Sequence, residues 1–397
     1  MRRLFPLAVL LFLSCREHAD VEAPSTPLRA RALPAVSAVS AKATKLPLAP
    51  LPEPEPVARA PEPEAEPSIV LAAGGDVNFG RECGQAILTD GSYDPFSGLG
   101  AAWSSADLRF VNLESQLSDQ GGVTQHPRHR LIFTGPPGGA DVLSRAGISV
   151  VSTANNHAWD YGKSAFFETK ANLERAGVPY VGSGADVEAA YAPVVLRAKS
   201  RSLALFAVTH IWNNGVFEEH EGRRYVAWAR LDRLRARIER ARREHDFVLV
   251  SYHGGEEYQH APTERTRRFA AGVMALGVDA FIGHHPHVPH GIGWASGRPV
   301  IYSLGNFVFA GHDHRPWTKQ SYFVRLTLQK GELPLLDACP VEIEGHRPRA
   351  YALPEEAPQL ERMRAHIVDT STSVGGARVA PADELGCVRV TPPPAKR

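Results

Sequence analysis

The sequence predicts an α/β domain with crossover connections, and three observations carry that prediction. Between Ser68 and about Pro348, short apolar runs of strand length alternate with longer segments of helical spacing. Five of the apolar runs end in a polar cluster. The 397 residues are 43% hydrophobic and 22% charged, enough apolar material for a sizeable core. The same counts exclude other classes. Lys+Arg 44 against Asp+Glu 43 leaves a net charge of +1, which argues against a protein that coats nucleic acid. Four cysteines without zinc-finger spacing do not make a disulfide scaffold. No apolar run reaches the ~18 residues that a membrane-crossing helix needs.

The elements follow in chain order. Arg2 and Arg3 precede a short apolar stretch, Leu7 to Leu13, and then Phe12-Leu13-Ser14-Cys15. A small residue before a cysteine at this place resembles a lipobox, with Leu11 one position further out than usual. On that reading residues 1–14 are a lipoprotein signal peptide and Cys15 is the lipidated residue. An ordinary secretion signal containing a cysteine is the alternative. Residues 15–68 are rich in Pro, Ala and Glu, as in Leu51-Pro52-Glu53-Pro54-Glu55-Pro56, and are expected to be a disordered tether. Proline removes backbone donors and charge keeps the segment solvated, so burial cannot offset the entropy of ordering it.

The folded domain is expected over 69–348. Strand candidates are Ile69 to Ala73, Leu108 to Leu113, Ile148 to Ser152, Phe247 to Tyr252, Val278 to Ile282, Val300 to Leu304 and Tyr322 to Leu328. Val194 to Arg197 and Leu203 to Val208 predict a hairpin. Helical spacing covers Gly139 to Ala146, Ser164 to Ala176, Leu231 to Arg243 and Thr263 to Leu276. The arginines of the third helix are most simply a solvated face. Residues 349–397 are expected to be a weakly structured tail, in which Cys387 either pairs with Cys339 or stays a free thiol.

The polar clusters at the strand ends are Asp76, Glu114, Asn156-His157, His253 and His285-Pro286-His287. Singly, each has an ordinary explanation as a cap, a turn or an edge residue. In an α/β sheet, however, the carboxyl ends of the strands face one crevice. Carboxylate, amide and imidazole together are the donor set of a borderline divalent ion.

The motifs, taken in order, resemble the capsule synthesis protein CapA family of poly-γ-glutamate capsule biosynthesis. They are Gly75-Asp76-Val77-Asn78-Phe79-Gly80-Arg81, Asn112-Leu113-Glu114, Ala154-Asn155-Asn156-His157 with Asp160 and Gly162, His253-Gly254-Gly255-Glu256-Glu257-Tyr258, Gly283-His284-His285-Pro286-His287-Val288 and Tyr302-Ser303-Leu304-Gly305-Asn306-Phe307. Gly254 stands where the family commonly has Trp. The family in turn resembles the calcineurin-like metallophosphoesterases, which implies a central β-sandwich flanked by helices and a centre of one or two divalent ions, Mn, Fe or Zn. By that resemblance Asp76, Asn78, Glu114, Asn156, His253, His285 and His287 are metal ligands, with Glu114 bridging and Asn78 a weaker donor than the usual His. His157 becomes the acid or transition-state donor.

Arg81, close behind the first motif, is a candidate to bind a phosphate or carboxylate of the substrate, or else a structural ion pair. Glu256 and Glu257 are expected to orient His253, and Asn306 to be a polar contact in the same crevice. The expected function is a membrane-anchored, metal-dependent hydrolase acting on a phosphoester or on a γ-glutamyl or other amide bond of a surface polymer. The alternative is a non-catalytic accessory protein that binds an anionic capsule polymer during assembly or export. The implied partners are that polymer or its precursor, the membrane through a lipid anchor and the capsule synthesis machinery, with no nucleic acid. The implied location is the cell envelope, with the outer membrane facing the periplasm as one site.

Overall fold

The computed structural model describes residues 67–311 and 314–394. The signal peptide, Cys15 and nearly all of the tether therefore lie outside the described residues. Two large sheets form the domain. The first runs Arg378–Ala382, Val388–Thr391, Leu335–Glu344, Gln320–Leu328, Ile69–Val77, Leu108–Leu113, Val150–Ser152 and Tyr180–Val181, with Asn306–Val308 beside Ile69–Val77 and Arg347–Ala350 beside Leu335–Glu344. The second runs Ile292–Ala295, Arg298–Ile301, Ala280–His284, Phe247–His253, Arg201–Thr209 and Val194–Ala198.

Side-chain alternation fixes the layers. In each strand successive residues point to opposite faces. Ile69, Leu71 and Ala73 share one buried cluster with Leu203, Leu205 and Ala207, with Leu249 and with Ile282, so the two sheets pack face to face. The opposite residues are apolar too. Ala72 and Val111, with Val77 beyond a register irregularity between Ala73 and Asp76, share a cluster with Cys83 of the helix Arg81–Thr89, Leu143 of Gly139–Arg145 and Leu173 of Gly162–Arg175. Phe206, Val250 and Phe281 pack on Leu234 and Ile238 of Leu231–Glu244 and on Phe269 and Val273 of Glu264–Met274. The result is the expected sandwich of two sheets between helices. It explains why the central strands are near-continuous apolar runs, since both of their faces are covered. The Arg-rich helix Leu231–Glu244 buries only Leu234, Ile238 and Ala241 and keeps its charges on the solvent side.

Parallel pairing sets the strand ends in rows. Asp76 is registered with Asn112 on one side and Asn306 on the other. Asn112 is registered with Ser152, and in the second sheet His253 with both Thr209 and His284. The expected hairpin is present as the antiparallel pair Val194–Ala198 and Arg201–Thr209.

The tail differs from expectation. After 348 the chain forms the helix Ala357–Thr372 and the strands Arg378–Ala382 and Val388–Thr391, which extend the first sheet. The helix buries only Leu360, Met363, Ile367 and Ser371, a stripe too narrow to stand out among its polar residues. Val388 and Val390 alternate with exposed residues, as in a strand covered on one face only. Cys339 and Cys387 form a disulfide that ties this edge to the strand Leu335–Glu344. Replacing both cysteines by Ala is expected to lower stability by ~2–4 kcal/mol, as for closure of a loop of this size, and to leave the spectroscopic signature of the fold intact. Denaturant titration of the double variant measures it. An unchanged midpoint would show that edge pairing alone holds the tail.

Candidate metal centre

The site lies where the carboxyl ends of the two sheets meet. Ile69–Val77 delivers Asp76, Leu108–Leu113 delivers Asn112 and then Glu114, and Val150–Ser152 leads into Asn155, Asn156 and His157. From the second sheet, Phe247–His253 ends on His253, and Ala280–His284 leads into His285 and His287. Within each sheet, neighbouring strands approach closely at this rim. A Cβ on Gly75 would lie 2.0 Å from the Gly305 carbonyl oxygen, and one on Gly283 would lie 2.1 Å from that of Tyr302. Only glycine permits those approaches, and each sits immediately before a site residue. The His285 backbone N–H donates to Asp76 Oδ2 at 3.1 Å, joining the two rims directly.

Glu114 is the centre of the cluster. It is fully buried, and neither carboxylate oxygen has a hydrogen-bond partner. Its Oε1 lies 3.5 Å from His253 Nε2, 3.9 Å from His157 Nε2 and 4.0 Å from His287 Nε2. Burial, and then the charge of Asp76, push its carboxyl well above the usual range. Asp76 goes the other way. Burial opposes its ionisation, but the His284 contact and the neighbouring imidazoles hold it below the usual carboxylate range. Burial keeps His253 well below its ordinary value, with His285 adding to the effect, and holds His285 at about 3 with help from His287. Burial lowers His287 as well. These rings are therefore neutral near pH 7 and offer lone pairs, the form in which imidazole binds a metal.

Ligand atoms of Glu114, His253 and His285 lie within 4.8 Å of one another, and so do those of Asp76, Glu114 and His287. Glu114 belongs to both groups. Asn156 joins the first, its Oδ1 lying 2.7 Å from His253 Nε2. A buried carboxylate without donors, beside neutral imidazoles, is an arrangement that a divalent ion completes, so the residues fit such an ion.

The other expected residues take varied positions. His157 is pinned at Nδ1 by Asp160 Oδ2 at 2.8 Å and stacks on Phe133, which leaves Nε2 toward Glu114. Asn306 orients His287, with Oδ1 2.8 Å from Nδ1. Asn78 accepts from the Gly80 N–H at 2.7 Å through Oδ1, so its amide oxygen serves the loop. Arg81 is outside the cluster and donates to the carbonyls of Ala310 and Arg130. Glu256 and Glu257 do not orient His253. The chain turns out at Gly254-Gly255, with φ +127° at Gly255, and both glutamates are exposed. Glu257 instead comes within 4.8 Å of ligand atoms of His285 and His287.

Three residues beyond those expected complete the site. Asn112 Nδ2 donates to Asp76 Oδ1 at 2.8 Å and meets His253 Nδ1 at 3.1 Å, so it does the orienting expected of the glutamates. Asn155 reaches Asn112 and the Leu113 carbonyl and accepts from the His157 N–H. His284 is buried with Nδ1 3.4 Å from Asp76 Oδ1. Period-two alternation was the available signal for Asn112, which shares a strand face with Glu114.

Fold and site together describe a helix-flanked two-sheet α/β domain with a buried His, carboxylate and Asn cluster at its carboxyl rim, a donor set that suits a divalent ion. The chain belongs to the bacterial capsule synthesis protein PGA_cap family, whose model matches residues 70–311. It is 28% identical over 281 residues to the PGA biosynthesis protein CapA of Bacillus subtilis, covering 69% of this chain and 71% of that one. It is 30% identical over 213 residues to the capsule biosynthesis protein CapA of Bacillus anthracis, covering 52% of this chain and 51% of that one, so it spans about half of that relative. A Mycobacterium tuberculosis relative, a probable polyglutamine synthesis accessory protein, is 25% identical over 62% of this chain and 68% of its own. Among solved structures, a putative 5′-nucleotidase from Staphylococcus aureus aligns with TM-score 0.42 at 13% identity, covering 80% of this chain and 61% of that one.

Glu114→Gln is expected to act in two directions. It removes the shared carboxylate and so abolishes stoichiometric binding of added Mn²⁺ or Zn²⁺. It also removes a buried group whose ionisation burial opposes. Folded Glu114 holds its proton above the ordinary 4.5, so the folded state binds more protons than the unfolded one and stability falls as pH rises from there. Metal-free Glu114→Gln is therefore expected to be more stable than metal-free wild type near neutral pH, by ~1–3 kcal/mol, with a flatter pH dependence. Thermal melts with chelator across pH check the sign. A less stable variant would mean that Glu114 is compensated in the metal-free fold.

Proposed function

We propose that this chain is a CapA-like protein of poly-γ-glutamate capsule synthesis that works as a metal-dependent hydrolase at the cell envelope. Its bond would be a phosphoester, or a γ-glutamyl or other amide bond of a surface polymer. The observation that carries this reading is the Glu114 carboxylate, buried without a hydrogen-bond donor among neutral imidazoles. Asp76, Glu114 and His287 would hold one ion, and Glu114, His253, His285 and the Asn156 amide oxygen a second. Mn²⁺, Fe or Zn²⁺ supplies Lewis acidity toward a phosphoryl or acyl oxygen and makes water a usable nucleophile near neutral pH.

The chain's own side chains supply the rest. Asp160 accepts the Nδ1 hydrogen of His157 and fixes the ring, so Nε2 at the cluster edge can pass a proton to a departing oxygen. Asn112 and Asn306 hold His253 and His287 in place. Export with a lipid anchor at Cys15 rests on the lipobox-like Phe12-Leu13-Ser14-Cys15. The Cys339–Cys387 disulfide agrees with an oxidising compartment.

A non-catalytic accessory role, binding an anionic capsule polymer, is the second reading. It is favoured by Asn78, whose oxygen is engaged by the Gly80 N–H and leaves the first ion position with fewer donors. Elemental analysis of the purified full-length chain, with turnover against phosphoester and γ-glutamyl panels, separates the two. His157→Ala is expected to retain metal while turnover falls about 10²–10⁴-fold. A metal-free wild type that still binds anionic polymer would establish the accessory role instead.

A further inference from the structure

Beside the metal centre lies a cleft of about 740 Å³ whose lining includes Arg81, Arg130, Arg315 and Tyr258. It adjoins the cluster on two sides. Arg81 sits 4.8 Å over the Phe133 ring, and that ring stacks on His157. Tyr258 lies with its ring 6.0 Å from that of His287. Three guanidinium groups thus line one cavity, with Glu82 as the one carboxylate on its lining among the described residues. None of the three arginines forms an ion pair among the described residues. Arg81 is held by two backbone carbonyls, and its buried Nε has no partner.

The aromatic rings of this cleft decide what it can take. A nucleobase would need an open aromatic face to stack on. Here Arg315 lies 3.8 Å over Tyr258, and Phe133 is taken by Arg81 and His157. Phe309 faces Arg81 at 5.9 Å and the His287 ring at 5.0 Å. Phe133 and Tyr258 thus seat the guanidinium groups of Arg81 and Arg315, a face contact that leaves the N–H edge of Arg315 and the second hydrogens of the two Arg81 Nη atoms for an oxyanion. Three cations along one open cleft suit a ligand with repeated negative charges rather than one phosphate.

We propose that this cleft is the substrate groove of the metal centre, and that Arg81, Arg130 and Arg315 select an extended chain bearing a carboxylate on each repeat over a nucleotide. The proposal rests on the hydrolase reading for the groove's purpose, but its test is a binding measurement. Fluorescently labelled γ-linked glutamate oligomer is titrated into the full-length protein, with AMP and a γ-glutamyl dipeptide as competitors and metal content measured on every sample.

Wild type is expected to bind the oligomer with an affinity that falls as salt rises, and millimolar AMP is expected not to displace it. The Arg130→Gln/Arg315→Gln double variant is expected to bind at least about tenfold more weakly with unchanged metal content. Arg240→Gln, on the exposed helix face, is expected to bind as wild type does. Equal binding by the double variant and wild type, or displacement by AMP as effective as by unlabelled oligomer, would overturn the groove. Oligomer binding lost in the double variant of a protein that holds no metal would keep the groove and refute the hydrolase.

Discussion

The organising constraint in this fold is a carboxylate where a carboxylate is hardest to keep. Glu114 is sealed from water and given no donor, with Asp76 close enough to raise its proton affinity further. An unpaired buried charge is among the most costly features a protein can carry. In the metal-free fold the group avoids that cost by holding its proton, while the two sheets that meet around it place imidazole rings at 3.5 to 4.0 Å. A divalent ion would convert that repulsion into coordination, which gives the residues around Glu114 a common purpose.

The surrounding structure is rigid in ways that match this purpose. Hydrogen-bonded amides link the ligands laterally: Asn112 joins Asp76 to His253, and Asn155 joins Asn112 to the His157 backbone. Backbone strain is concentrated in the same place. Seven non-glycine residues among those described have positive φ, and four of them, Arg81, Tyr258, His285 and His287, belong to the centre or its cleft. Such conformations persist only where neighbours over-determine them, and they cluster at functional sites. The left-handed turns at His285 and His287 allow two residues two apart in sequence to serve one cavity while Pro286 lies between them.

Much of this was legible in the sequence because strand ends are chemically marked. Asp76, Glu114, Asn156, His253, His285 and His287 each follow an apolar run, and parallel pairing then leaves them little freedom but to converge. The residues that orient the ligands were less visible. Asn112 reads as one more strand residue until register sets it beside Asp76, and His284 is masked by the more conspicuous His285-Pro286-His287. Glu256 and Glu257 misled through sequence proximity, since two glycines turn them away from the histidine they follow. The C-terminal region was missed for a different reason. Its helix and edge strands are stabilised by docking and by the Cys339–Cys387 bond, and local pattern carries little of that.

The most direct measurement is anomalous diffraction from crystals of the protein grown with Mn²⁺ or Zn²⁺, collected on both sides of the metal edge. The expected result is a peak bounded by Glu114, His253, His285 and Asn156, with a second, of equal or lower occupancy, toward Asp76 and His287. Crystals with no peak at Glu114, or with the metal bound only at surface histidines such as His126 and His129, would contradict the idea that this buried carboxylate exists to share an ion.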